Sequence, residues 1–144
     1  MGLLDLFGGK DSARPEEELR RLMRQVMEVL RETEEIMDAL PPELRQGARR
    51  SFDENVGESI GDCRRRLEKM DRKLLSSDLK DIPRPELTGL RERMSRLDEH
   101  LIRSYLDAMK LTGDRRGRKA IRASARRRAD QVEELLRALE RLTR

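Results

Sequence analysis

The chain has 144 residues, of which 43% are charged and 35% apolar, and carries 33 Lys and Arg against 29 Asp and Glu for a net charge of +4. That balance fits one domain of slender packed helices better than a compact globule, and Phe7, Phe52 and Tyr105 are too few aromatics to wall a deep ligand pocket. A lone cysteine, Cys63, and a lone histidine, His100, exclude an intrachain disulfide and a zinc finger or ribbon, and fit a reducing compartment.

Residues Met1 to Lys10 (MGLLDLFGGK) contrast with everything after them. Leu3, Leu4, Leu6 and Phe7 stand at the tip, and Gly8-Gly9 cuts them off from the charged body. Wound as a helix, the segment puts Leu3, Leu4 and Phe7 on one face, with Leu6 flanking it and Asp5 pointing away. Placing four such side chains in an apolar environment yields about 8 kcal/mol, whereas ordering seven residues costs about 7 to 14 kcal/mol. One copy therefore holds a bilayer weakly, and useful attachment needs added basic charge or several copies in one assembly. Three fates stay open for this docking segment, residues 1–10: a membrane surface, a groove of its own or a partner's bundle, or a frayed terminus. Leu6 stands where N-myristoylation expects Ser or Thr.

Pro15 opens the first predicted helix, roughly Pro15 to Leu40. Its apolar line runs Leu19, Leu22, Val26, Val29, Ile36 and Leu40, with Thr33 in the gap and Met23, Leu30 and Met37 widening the stripe. Glu16 to Glu18 fall where the helix dipole favours negative charge, and Pro41-Pro42 stops the helix. Pro42 then begins a second helix along Leu44, Ala48, Phe52, Val56, Ile60, Cys63, Leu67, Met70 and Leu74. Within it Gly57-x-x-x-Gly61 reads either as a close-approach point or as a weak spot, each Gly costing about 1 kcal/mol relative to Ala.

Ser76 to Pro85 (SSDLKDIPRP) is the longest predicted connection, ended by two prolines. A third helix follows, about Pro85 to Leu111, with Leu87, Leu90, Met94, Leu97, Leu101, Tyr105 and Ala108 on its seam. After a stop at Thr112-Gly113-Asp114, a fourth carries Ile121, Ala125, Val132, Leu135, Leu139 and Leu142 to the C-terminus. The predicted fold is all-α: an antiparallel up-down-up-down four-helix bundle over residues 15–144, roughly 40 Å long at 1.5 Å per residue.

From Asp114 to Arg128 (DRRGRKAIRASARRR) eight basic residues face one acidic residue, so this stretch carries +7 while the rest of the chain sums to −3. The candidate anion-binding residues are Arg115, Arg116, Arg118, Lys119, Arg122, Arg126 and Arg127. They suit phospholipid headgroups, or the phosphates of a nucleic acid, or an acidic protein. A plainer reading is neutralisation: antiparallel packing would set Glu32, Glu34, Glu35 and Asp38 beside the start of the fourth helix, and Glu16 to Glu18 beside Arg137, Arg141 and Arg144. No aromatics interleave with the arginines, which disfavours stacking of single-stranded bases. Arg128 falls on the predicted apolar seam, where it would snorkel out or face another subunit.

No catalytic residue and no metal or cofactor site is expected. A di-iron bundle needs two Glu-x-x-His motifs, which one His100 cannot supply. Cys63 sits on the apolar stripe as a small inert hydrophobe, and His100 borders its stripe as a partly exposed structural residue. The chain has no phosphate-cradling glycine loop and no nucleophile elbow. It has no run of about 18 apolar residues and no secretory signal pattern, which predicts a cytoplasmic protein, soluble or peripheral on the inner face of the membrane.

MGLLDLFGGK resembles the short amphipathic starts of the ESCRT-III and phage-shock membrane-remodelling proteins, and of the division regulator MinE. The entry to the first helix, RPEEELRRLMRQVMEVL, is similar to the phage-shock pattern. The resemblance covers the first thirty residues and implies that Leu3, Leu4, Leu6 and Phe7 insert into lipid while the body self-assembles. Those families use a long uninterrupted hairpin, whereas Pro41-Pro42 and Pro83-x-Pro85 divide this chain, so only the role of the tip carries over. The expected protein is a non-enzymatic helical adaptor or scaffold that docks through its tip on a membrane surface or assembly, supported by the basic face. The alternatives are a nucleic-acid-binding bundle using Arg115 to Arg128 and a helical subunit of a protein complex. Self-association or a protein partner is expected, and no small-molecule substrate.

Overall fold

The structure is a computed structural model that describes residues 14–111 and 115–144, with side chains excluded at 105–111, 120 and 121. The Leu3 to Phe7 tip, the Thr112 to Asp114 stop and the seam positions Tyr105, Ala108 and Ile121 lie outside the described residues or side chains. The described chain is helical, with five α-helices: α1 (Pro15–Asp38), α2 (Pro42–Val56), α3 (Ile60–Ser76), α4 (Arg84–Leu111) and α5 (Arg115–Leu142).

Helix α1 buries Leu19, Leu22, Met23, Val26, Val29, Leu30 and Met37. The polar gap in this stripe is satisfied locally, because the Thr33 hydroxyl donates to the Val29 carbonyl at 2.7 Å. The last turn departs from the expected seam: Ile36 is 51% exposed and Met37 is buried in its place. Here Met37 meets α2, where it lines one small cavity together with Phe52.

The second predicted helix is two helices, which corrects the four-helix count to five. The chain leaves α2 at Gly57, whose φ of 90° lies in the left-handed region, while its N–H donates to Asp53 O at 2.9 Å. Ser59 then caps α3, its hydroxyl oxygen accepting the Asp62 N–H at 3.1 Å. The apolar line runs unbroken through this point, so hydropathy alone hides the turn. Its consequence is a change of partner, since α3 packs mainly on α1 and α2 mainly on α4.

Arg93 of α4 fills the space a side chain at position 57 would need. Its Nη1 donates to the Val56 carbonyl at 3.3 Å, and a Cβ added at Gly57 would sit 2.3 Å from that nitrogen. Gly57→Ala is expected to destabilise by about 1 to 2 kcal/mol through the strained φ and the displaced guanidinium. Gly47→Ala, in the open middle of α2 with nothing within 4 Å of the new Cβ, should stabilise by about 0.5 to 1 kcal/mol. Thermal unfolding of the two variants, moving in opposite directions, checks the assignment.

Only Phe52 and Val56 of α2 are buried, and Leu44, expected on the seam, is 56% exposed. The buried part of α2 begins at Phe52, so its first turns, with Leu44 and Gly47, ride outside the core. His100 is also corrected, from partly exposed to buried. The Phe52 ring meets the imidazole edge-on at a centroid distance of 5.2 Å, and His100 Nε2 shares a 3.2 Å hydrogen bond with Ser104 Oγ.

The α3–α4 connection holds one 3-10 turn, Leu79–Asp81, that buries Leu79 and then Ile82. It is tied to the start of α1 by the buried Glu16 carboxylate, which accepts the Leu79 N–H at 2.9 Å. Polar pairs fix the directions of the long helices. Arg20–Asp71 at 2.9 Å and Arg64–Glu34 at 3.6 Å run α3 antiparallel to α1. Arg21–Glu134 at 3.6 Å and Arg128–Glu32 at 3.0 Å do the same for α5 against α1. Arg84 donates to the Thr143 carbonyl at 2.6 Å, which places the start of α4 beside the end of α5. Leu19, Val26, Leu67, Leu97, Leu135 and Leu139 belong to the single core these helices enclose.

Candidate anion-binding surface

Helix α5 has two unlike halves. Its buried residues are Val132, Leu135, Leu136, Ala138 and Leu139, and among the described residues none lies before Val132. In the preceding stretch the small residues Ser124 and Ala125 are half-buried while the long cations are exposed, so this half is largely a solvated helix face. Arg115, Arg116, Arg118, Lys119, Arg122, Arg126 and Arg127 are all exposed. Lys119, Arg122 and Arg126 follow steps of three and four along one edge, about one turn apart. With Arg127, Asp130 and Glu134 they line a shallow groove of about 620 Å³.

The neutralisation expected from α1 does not reach this face. Glu34 pairs with Arg64 on α3, Glu35 with Arg31 on its own helix, and Asp38 with Arg49 on α2. At the other end Glu16 holds the Leu79 N–H and Glu18 binds Arg21. Only Glu32 faces the basic stretch, and it takes Arg128, whose Nε also lies 3.1 Å from the same Glu32 oxygen and whose Nη1 donates to Ser124. Arg128 thus turns from the apolar seam to Glu32 and closes the α1–α5 seam. Arg115, Arg118, Lys119, Arg126 and Arg127 form no ion pair among the described residues.

A sequence signal for this partition exists in hindsight only at Arg128, which sits four residues after Ser124 and on the apolar seam. The competing partners of Glu34, Glu35 and Asp38 come from three different elements, and no spacing rule on one helix reveals them.

Where α5 passes α4, the local charge turns acidic. Burial raises the Asp98 carboxyl above its ordinary pKa, helped by Glu133, Glu99 and Asp130 and opposed by Arg137. Ionising Asp98 is thus harder in the folded chain than in the unfolded one. The resulting penalty is absent below the unfolded value of about 3.9, grows as pH rises toward the raised folded value, and is constant above it. Asp98→Asn is expected to raise the melting temperature at pH 7, with the gain vanishing as pH falls below about 4; melts across that range read it.

Cys63 is fully buried. Burial, with the nearby Glu58 carboxylate, pushes its thiol up to about 12, so it stays protonated at neutral pH and is no nucleophile. Glu58 itself is engaged by Arg66 at 3.0 Å and Arg93 at 3.9 Å, a structural brace for the α2–α3 turn. Among the described residues no three His, Cys, Asp or Glu side chains converge as metal ligands, and no helix is long and apolar enough to cross a membrane.

No protein-family model, curated protein or solved structure matches this chain. An array of exposed basic side chains near a helix N-terminus is suited to binding phosphate oxyanions.

Proposed function

We propose that this protein is a non-enzymatic helical adaptor that docks on an anionic membrane surface. The long helices α1, α3, α4 and α5 serve as an antiparallel bundle scaffold, with α2 folded over one end. Leu3, Leu4, Leu6 and Phe7 are the apolar anchor, and Arg115, Arg116, Arg118, Lys119, Arg122, Arg126 and Arg127 are the electrostatic support. The observation that carries this reading is the basic half of α5, five of whose cations have no ion-pair partner among the described residues. Neither part suffices alone. The tip gains too little to hold one chain on a bilayer, and basic residues near an anionic surface add about 1 kcal/mol each.

Co-sedimentation with neutral and anionic vesicles at two salt concentrations, for the intact chain and for one lacking residues 1–10, tests the proposal. Binding that requires both the tip and anionic lipid, and weakens with salt, supports it. Absence of binding by the intact chain overturns it and directs attention to a protein groove that accepts the tip. Steeply salt-dependent DNA or RNA binding that survives removal of residues 1–10 would assign the same arginines to a nucleic acid.

A further inference from the structure

Within the basic half of α5, Ala123 interrupts the long side chains. It is small and exposed, and its neighbours on the helix surface are the residues three and four positions away, about 5 to 6 Å off between Cβ atoms. Those neighbours include Lys119 on one side and Arg126 and Arg127 on the other, so three cations stand around a floor that carries only a methyl group. All four residues line the same shallow groove. None of the three cations forms an ion pair among the described residues.

The groove is not uniform along its length. Asp130 follows about one turn beyond Arg126 and Arg127, and Glu134, which lies 3.6 Å from Arg21 of α1, follows one turn beyond that. These carboxylates repel an anion from the far end of the groove and confine it to the depression above Ala123. Arg128, the next cation in the chain, is held by Glu32 at 3.0 Å and takes no part.

The donor set bears on which anion fits. Each guanidinium presents a fork of N–H groups that engages two oxygens, and the Lys119 ammonium adds three donors. A phosphodiester headgroup brings a single charge and two unesterified oxygens, which leaves most of these donors unmatched. A phosphate monoester carries about −1.5 to −2 charges at pH 7 and three acceptor oxygens. It answers the three cations in both charge and acceptor count.

We propose that the depression at Ala123, ringed by Lys119, Arg126 and Arg127, binds a lipid headgroup that ends in a phosphate monoester. This inference rests on the membrane reading above and narrows its ligand. It is tested with the full chain and two sets of phosphatidylcholine vesicles, one containing phosphatidic acid and the other phosphatidylglycerol. Their mole fractions are adjusted to equal electrophoretic mobility, so that unspecific attraction to the surface is matched.

The expected result is binding about tenfold tighter to phosphatidic acid, the worth of one further charge-assisted hydrogen bond. Ala123→Leu fills the floor with a good helix former at an exposed position, so circular dichroism should be unchanged while the ratio of the two affinities falls toward unity. Glycerol 3-phosphate, the same phosphate without the acyl chains, should leave the sedimented fraction almost unchanged at millimolar concentration. Full release by it assigns the site to a soluble phosphomonoester and overturns the lipid assignment. Equal binding to the two lipids overturns the phosphomonoester preference and leaves the membrane reading standing. A preference that persists in Ala123→Leu overturns the placement at this depression. Failure to sediment with either lipid overturns the membrane reading itself, and this inference falls with it.

Discussion

Replacing Arg118, Lys119, Arg126 and Arg127 together by Gln is expected to weaken binding to anionic vesicles by about 10³-fold while leaving the fold intact. Four charges at about 1 kcal/mol each give about 4 kcal/mol, and each 1.4 kcal/mol is tenfold. The fold should tolerate the change because these four side chains are exposed and form no ion pair among the described residues. Surface substitutions of this kind usually alter stability by less than about 0.5 kcal/mol each. Arg128 is left in place, since its pairing with Glu32 closes α1 on α5. Lys69→Gln with Arg72→Gln, on the exposed side of α3, is the matched control and should leave binding almost unchanged. Vesicle titration with circular dichroism of each variant reads both quantities. A quadruple variant that binds as tightly as the parent would show that the basic half of α5 does not face the lipid.

The same four residues illustrate what the sequence discloses. Periodicity placed α1, α4 and α5 well, because each long helix has one apolar stripe and a proline or glycine stop, and residues such as Val26, Leu97 and Leu139 fall in the core as their spacing requires. It failed at Gly57, where the apolar line from Phe52 through Val56 to Ile60 and Cys63 continues across a left-handed turn. The discriminating letters were Ser59 and Asp62, a start signal three residues apart, which the continuity of the stripe outweighed. The buried state of His100 was illegible for a related reason. It depends on Phe52 arriving from a helix 48 positions away in sequence, and one-helix patterns do not encode that contact. The basic run was legible as charge, but its freedom from α1 was not, since the rivals for Glu34 and Asp38 are Arg64 and Arg49 on other elements.

Phe52→Ala is expected to be the most damaging single substitution in α2, and its effect should be local before it is global. The ring is 1% exposed, and truncating such a residue typically costs about 3 to 5 kcal/mol. Little else holds this helix. Val56 is its other buried side chain, and the ties near its start are the Arg49–Asp38 pair and the Arg45 Nη2 bond to the Leu40 carbonyl at 3.1 Å. A small domain is stable by about 5 to 15 kcal/mol, so the loss is survivable if α2 opens as its own unit. The helices α1, α3, α4 and α5 would then retain their shared core around Leu19, Leu67, Leu97 and Leu135. Amide hydrogen exchange should show protection lost across residues 46–56 while the other helices keep most of theirs. Leu135→Ala, in the centre of the same core, should instead lower protection in all helices by a common 2 to 5 kcal/mol, or about 30- to 4,000-fold in exchange rate. Equal loss of protection everywhere in Phe52→Ala would make α2 an integral part of the cooperative core. Loss confined to α2 would make the Gly57 turn a boundary in energy as well as in chain direction, one that the unbroken apolar stripe conceals.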